Sequence, residues 1–343
     1  LILAPGASHS YFGNPEWEQF APGLKTLSDA LSIRERILLS YERAERCTDP
    51  IEAEKFMRFV IIGGGPTGVE MAGAIAEIAH KSLVNNFRHI KPEQTKIYLI
   101  EGLNQILPSF PKDLADKGQK ALENLGVDVL LNTTVTNVTE KGVWIGDKFL
   151  ETPNIIWAAG NKASMLLKSL DAPLDRSQRV IVNADLTIPD YSEVFVVGDA
   201  ASNYGKNGTP LPGIAPVAIQ QGNYVAKIIG GQIPPSQRKP FVYFDKGMMA
   251  TIGKAKAVAM VGKLKISGYL AWLAWSLIHV VYLISFASRF LVMSEWMFLY
   301  FSNQRRIRLI TRQVSDKDDP LHQTNAGVTQ DDYLLPHYDQ SKD

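Results

Sequence analysis

The sequence predicts an α/β protein with an apolar helical region towards its C-terminus, and three observations support this. Strand-like and helix-like segments alternate from residue 59 onward, as they do around a parallel sheet with crossover helices. Residues 59–77, FVIIGGGPTGVEMAGAIAE, join an apolar run with strand preference to a glycine turn and an Ala-rich helix. Residues 266–288, ISGYLAWLAWSLIHVVYLISFAS, contain no Asp, Glu, Lys or Arg.

Bulk properties narrow the classes of function. At 343 residues the chain has room for two domains and a small third. A formal charge of +1 leaves no basic excess to neutralise phosphates, so nucleic acid is not an expected partner. Cys47 is the sole cysteine, which excludes an intrachain disulfide and any C-x-x-C redox pair.

The glycine turn is the strongest motif. In its G-x-G-x-x-G frame, Gly63 makes the turn, Gly65 lets a pyrophosphate approach the backbone and Gly68 lets helix and strand pack closely. With Pro66 and Thr67 between the last two glycines, bound phosphates would sit at the positive end of the helix. Glu101 ends the apolar run 97–100. An acidic side chain there can accept hydrogen bonds from both ribose hydroxyls and repel a 2′-phosphate, which favours NADH over NADPH. The interval from the glycines exceeds the usual ~20 residues; residues 79–94, read as an extended helix and a loop around Pro92, absorb the excess. A solvated strand end is the plainer reading of Glu101.

The remaining elements follow in order. Residues 1–10 read as a strand entering a turn, and residues 11–23 as a loop rich in Pro and Gly. Thr26 and Asp29 mark a helix start. That helix is expected to turn Leu31, Leu38, Tyr41 and Ala44 to a core and to end near Asp49-Pro50. A helix at 113–125 stops at Gly126, and strands follow at 127–131, 135–138, 142–145 and 154–157, carrying a small antiparallel insertion. The last strand enters Ala158-Ala159-Gly160, which suits backbone meeting a flat ligand or is an ordinary tight turn. The strand 193–197 leads to Gly198-Asp199. A carboxylate at that strand end can accept from a polyol such as the ribityl chain of a flavin, and a helix N-cap would look the same. Residues 212–222 open a helix on small residues with the adjacent amides Gln220 and Gln221, and residues 241–253 read as a hairpin through Lys246-Gly247.

Ala4-Pro5-Gly6, the glycine turn with Val69-Glu70, Ala158-Ala159-Gly160, Val197-Gly198-Asp199 and Ala215-Pro216-Val217-Ala218-Ile219-Gln220 occur in that order. Together they resemble the two-dinucleotide-binding-domain flavoproteins, and among them the type II NADH dehydrogenases, single-subunit NADH:quinone oxidoreductases that do not pump protons. The resemblance covers roughly residues 1–312. It implies two Rossmann-like dinucleotide-binding domains, the first incomplete. Residues 1–55 and 166–245 would be the two parts of an FAD fold, 56–165 an NADH fold, 246–312 a hairpin with membrane-anchoring helices and 313–343 a disordered tail. It further implies that Gly63, Gly65, Pro66, Thr67, Gly68 and Glu101 bind NADH and that Asp199 binds FAD. Gly6, Gly198, Ala215, Ala159, Gly160 and Lys246 complete the cofactor-binding set. Gln220 would line the quinone entrance, and Glu70 resembles the family's carboxylate near the nicotinamide and quinone path.

The family's FAD-pyrophosphate glycines belong before residue 1, so the chain is expected to be a fragment or a shortened product with poor FAD affinity. Pro5 stands where the family usually carries threonine, and Pro216 where it carries the first glutamine of its Ala-Gln-x-Ala-x-Gln motif. Sulfide:quinone oxidoreductases and disulfide reductases need cysteine pairs that this sequence lacks. A truncated, catalytically weak membrane-attached nucleotide-binding protein and another FAD/NAD(P)-dependent pyridine nucleotide oxidoreductase are the remaining alternatives.

At about 1.5 Å per residue, residues 266–288 could cross a bilayer core of roughly 30 Å. Tyr269, Trp272, Trp275 and Tyr282 are spread through the segment, with Ser276 and His279 in its middle, which favours a helix lying in the interface. A spanning helix, a buried core helix and a homodimer contact are the other readings. A second apolar stretch, 290–301, is interrupted by Glu295 and followed by Arg305, Arg306, Arg308 and Arg312, which can meet anionic headgroups. The expected partners are NADH, a membrane quinone and the bilayer surface through residues 266–312. The expected location is peripheral, on the cytoplasmic face of a bacterial inner membrane or its equivalent.

Overall fold

The computed structural model describes residues 1–205, 208–283, 285–302 and 310. The chain opens on β1 (Ile2–Leu3) and β2 (Ala7–His9). Helix α1 (Leu27–Arg46) begins at a reciprocal cap: Asp29 N–H donates to the Thr26 hydroxyl at 3.1 Å, and Thr26 N–H donates to Asp29 Oδ2 at 2.7 Å. Two otherwise unpaired donors are thereby satisfied. Ile33, Ile37, Tyr41 and Ala44 recur at helical spacing and set the buried face. That phase turns Leu31 outward, 45% exposed, against its expected core position. α2 (Pro50–Phe56) starts on the Asp49 cap.

Largely apolar runs then build a four-stranded parallel sheet, as strands covered on both faces require. Its elements are β3 (Arg58–Ile62), α3 (Pro66–Glu77), β4 (Lys96–Ile100), α4 (Lys112–Glu123) and β5 (Val127–Leu130). An antiparallel insertion of β6 (Val135–Thr139), β7 (Gly142–Ile145) and β8 (Lys148–Glu151) precedes β9 (Asn154–Trp157). The sheet order is β5-β4-β3-β9, all parallel. β3 therefore lies where the order reverses, and the crevice beyond its C-terminal end is where such sheets bind ligands. Phe59 and Ile61 pack against α3, while Val60 and Ile62 face Trp17 and Trp157. The helix expected across residues 79–94 stops at Ser82 after one π-helical turn, and Pro92–Gln94 is an isolated 3-10 turn.

The chain returns through β10 (Asn161–Ala163), antiparallel to β2. Next come β11 (Val180–Ile181), β12 (Thr187–Ile188), β13 (Tyr191–Val196), β14 (Ala201–Ser202) and α5 (Ala215–Gly230). β1 lies parallel to β13, with Leu3 beside Val196. β15 (Met248–Thr251), β16 (Ala257–Val261) and β17 (Leu264–Gly268) form an antiparallel sheet. The hairpin expected through Lys246-Gly247 instead turns at residues 252–256, where Gly253 and Ala255 take positive φ. The peptide groups of Phe244 cannot join a ladder because Gln220 binds both its N–H and its C=O.

Helices α6 (Tyr269–Val281) and α7 (Phe286–Ser302) follow. The charge-free run 266–288 is thus divided between the end of β17, α6 and the start of α7. α6 has 13 residues, a length of about 20 Å. No helix among the described residues is long and apolar enough to cross a membrane. Arg305, Arg306, Arg308, Arg312 and the tail lie outside the described residues.

Candidate functional site

The turn between β3 and α3 is built by contact as well as by conformation. Gly63 takes φ +112°, and a Cβ there would lie 2.7 Å from the backbone of Ala158 and Ala159. A Cβ on Gly68 would lie 1.8 Å from the Gly63 carbonyl oxygen. Both positions are closed to any side chain. Around Gly65 the opposite holds, since a Cβ would meet nothing within 4 Å. The open side of the turn therefore lies at Gly65, at the N-terminus of α3, beside exposed Pro66 and Thr67. Unpaired N–H groups and the helix dipole make such a place favourable for phosphate.

Glu101 borders this turn. Its Oε2 accepts the Gly64 N–H at 2.6 Å and its Oε1 the Leu103 N–H at 2.9 Å. Each carboxylate oxygen retains a lone pair for a ribose hydroxyl. The side chain is held against the glycine turn, unlike a freely solvated strand end. Ala159 abuts Gly63, and Gly160 takes φ +72° with the Phe12 ring 2.6 Å from where its Cβ would stand.

A second set of groups stands at the C-terminal ends of the parallel strands β1 and β13. Gly6 and Gly198 take φ +70° and +71°. A Cβ on Gly6 would meet nothing within 4 Å. The Gly198 N–H donates to Gln221 Oε1 at 2.7 Å, and Gln221 is only 1% exposed. Asp199 accepts from Lys25 Nζ at 3.1 Å across 174 residues of sequence, a partner that nothing in the local sequence of either residue indicates. Ala215 is the first residue of α5, and Ala218 packs beneath Gly198, its Cβ 3.4 Å from the position a Gly198 Cβ would take.

Gln220 points elsewhere. Its Nε2 donates to the Phe244 carbonyl and its Oε1 accepts the Phe244 N–H, each at 2.9 Å. Lys246 Nζ donates to the Tyr282 hydroxyl at 2.7 Å. The two side chains fasten residues 241–247 to α5 on one side and to the residue after α6 on the other. The sequence marked Gln221 only as the second of two amides; burial distinguishes it as the one that supports Gly198.

Glu70 lies one turn into α3, and its Oε1 accepts the Thr251 N–H at 3.3 Å. Burial pushes its carboxyl above the usual range, and neither the Thr251 contact nor the field of His279 cancels that effect. It lines a cavity of about 240 Å³ together with Thr251, Trp272, Trp275 and Trp296. Among the described residues no group of His, Cys, Asp and Glu is arranged to hold a metal ion.

Comparison with known proteins adds four findings. The pattern of the pyridine nucleotide-disulphide oxidoreductase family matches residues 1–222. Over 328 residues, 92% of this chain and 69% of the relative, the sequence is 43% identical to the type II NADH:quinone oxidoreductase NdhA of Mycobacterium tuberculosis. It is 41% identical to Ndh of the same organism over 325 residues, 91% and 69% of the two chains. The fold is similar to that of NDH2 from Plasmodium falciparum, solved in complex with NADH, with TM-score 0.83 and 20% identity over 90% of this chain and 79% of that one.

Proposed function

The chain belongs to the type II NADH:quinone oxidoreductases, and on that premise we propose that it oxidises NADH and delivers two electrons to a lipid-soluble quinone without pumping protons. The observation that carries the NADH half is the turn closed at Gly63 and Gly68, open at Gly65 and bordered by the Glu101 carboxylate. In this reading the N–H groups opening α3 hold the pyrophosphate, and Glu101 holds the adenosine ribose and disfavours a 2′-phosphate. Ala159, which closes against Gly63, and Gly160, which closes against Phe12, would border the nicotinamide end.

Gly6, Gly198, Asp199 and Ala215 fit FAD. Two positive-φ glycines end adjacent parallel strands, space is open beside Gly6, and a carboxylate is held in place by Lys25. When bound, FAD supplies the two-electron chemistry that couples a hydride donor to a quinone. Asp199 would accept from the ribityl hydroxyls, and Gln221 fixes the turn that carries Asp199. Glu70 holds a proton at its carboxyl for the product quinol. Gln220 and Lys246 shape the quinone side by fixing residues 241–247.

Residues of α6 and α7 turn Leu270, Leu273, Leu277, Phe290 and Phe301 outward. Such faces support peripheral attachment to a membrane surface through residues 266–312. The functional test is NADH oxidation by the purified chain supplied with FAD and a short-tailed quinone. Activity that requires the quinone supports the reading, and no NADH oxidation with any acceptor removes it. Flotation with anionic vesicles tests the attachment; a chain that stays at the bottom of the gradient as a dimer would assign these faces to a second copy.

A further inference from the structure

Between α4 and the sheet of β15, β16 and β17 lies a cavity of about 280 Å³ that shares no lining residue with the glycine turn or with the cavity beside Glu70. α4 brings Lys117 and Lys120 to it, and Asn124 follows just past the helix end. Their spacing of three and four residues sets them along one stripe. The turn between β15 and β16 supplies Lys256, and β17 supplies Ser267. A hydrogen bond from the Ile252 N–H to the Lys256 carbonyl at 2.8 Å closes that turn, with Gly253 and Ala255 at positive φ. The backbone that carries Lys256 is therefore fixed before any ligand arrives.

Three ammonium groups border this one cavity, and among the described residues no carboxylate lines it. The acidic side chains of α4 are engaged elsewhere: Asp113 with Lys265 at 2.6 Å, Asp116 with Lys112 at 2.8 Å and Glu123 with the Gln119 amide at 2.8 Å. Ile252, Ala257 and Val258 make a buried apolar floor. A cleft lined by one sign of charge over low-dielectric walls concentrates the opposite ion. The repulsion among the lysines is relieved when an anion enters.

We propose that this cavity binds a small phosphate-bearing anion, its oxygens taken up by the three lysines, with the Asn124 amide and the Ser267 hydroxyl as neutral donors. Lysine meets phosphate as a point charge with three rotatable donors and demands no planar partner. A volume at the lower limit of ordinary ligand pockets, about 300 Å³, suits a phosphate with a small substituent and is too small for a second dinucleotide. Two sources carry that chemistry. Gly268, also on the rim, is the residue before α6, whose Leu270, Leu273 and Leu277 are exposed, so a lipid headgroup can enter with its chains along that helix. Lys117 and Lys120 are exposed, so a free phosphate can enter from solvent. Either occupant joins the helix that covers the parallel sheet to the strand that leads into α6.

The test uses the full chain and two probes: inorganic phosphate, titrated by calorimetry at constant ionic strength, and vesicles of phosphatidylglycerol in phosphatidylcholine, assayed by co-sedimentation. Lys256→Gln, at a half-buried position, should weaken binding about tenfold, as expected for a lost hydrogen bond to a charged group. Lys117→Gln/Lys120→Gln, at exposed positions, should weaken it about fivefold. Lys141→Gln/Lys148→Gln removes two exposed charges from the antiparallel insertion and should bind as wild type does. Reduction of ferricyanide by NADH should be unchanged in all of them. Saturable phosphate binding that the cavity variants weaken assigns the site to a free phosphate. Vesicle binding that they weaken, without saturable binding of free phosphate, assigns it to a headgroup. Equal weakening in the insertion variant would reduce the effect to general charge attraction and overturn the site. Wild-type binding of both probes by folded cavity variants, or no binding of either probe by wild type, would overturn it as well.

Discussion

Oε2 of Glu101 accepts the Gly64 N–H at 2.6 Å across 37 residues of sequence, so the acidic tip of β4 is bound to the turn that closes β3. Glu101→Gln keeps the shape but removes the charge from both the turn and the ribose. Hydrogen bonds to a charged group are worth about 1.5–3 kcal/mol, so KM for NADH should rise about tenfold or more. KM for NADPH, whose 2′-phosphate the carboxylate repels, should fall or stay the same. An unchanged ratio of the two KM values, measured with ferricyanide as acceptor, would count against Glu101 as the ribose ligand.

Gly65 and Gly68 should separate folding from binding. Gly68→Ala drives a Cβ into the Gly63 carbonyl and should lower stability by about 1–3 kcal/mol. Gly65→Ala meets open space and should melt like wild type while losing NADH affinity, because the added methyl stands where phosphate must approach. Thermal melts with NADH titrations check the pair; normal NADH affinity in Gly65→Ala would move the phosphates elsewhere.

The adjacent glutamines should behave differently. Gln221→Leu leaves the half-buried Gly198 N–H without its acceptor, which should cost about 1–3 kcal/mol. Gln220→Ala releases only the partly exposed Phe244 clip and should cost less. Urea denaturation midpoints rank the two, and equal losses would contradict the assignment of Gln221 as the support of the Gly198-Asp199 turn.

Glu70 predicts a pH dependence of known sign. Burial raises its folded-state value above that of the unfolded chain, so the native state binds the proton more tightly. Its contribution to stability is complete below the ordinary carboxylate value of about 4.3 and is lost as pH rises through the raised value. Glu70→Gln cannot ionise, and its melting temperature relative to wild type should climb across that rise. The same substitution should slow quinone reduction more than flavin reduction by NADH; equal effects on both half-reactions would remove the proton-holding role.

The parallel sheet was legible because strands covered on both faces must be largely apolar, as residues 59–62, 97–100 and 155–157 are. The cap at Thr26 and Asp29 was legible because its partners are three residues apart. Leu31 was misplaced because leucine fits either side of a charged helix, and only packing by Ile33 and Ile37 decides the phase. The hairpin was misplaced because Lys246-Gly247 has turn composition, while the partner that removes Phe244 from any ladder lies 24 residues earlier.

The sequence by itself determined the glycine turn, the acidic strand end, the absence of a cysteine pair and the apolar character of residues 266–288, since each depends on residue type at short range. Only the tertiary structure decided that Lys25 holds Asp199, that Gln221 and not Gln220 supports Gly198, and that four aromatic rings from α6 and α7 meet near Glu70. Those contacts join residues far apart in the chain, and their energy depends on burial and on distances of a few ångströms, neither of which is written in local composition.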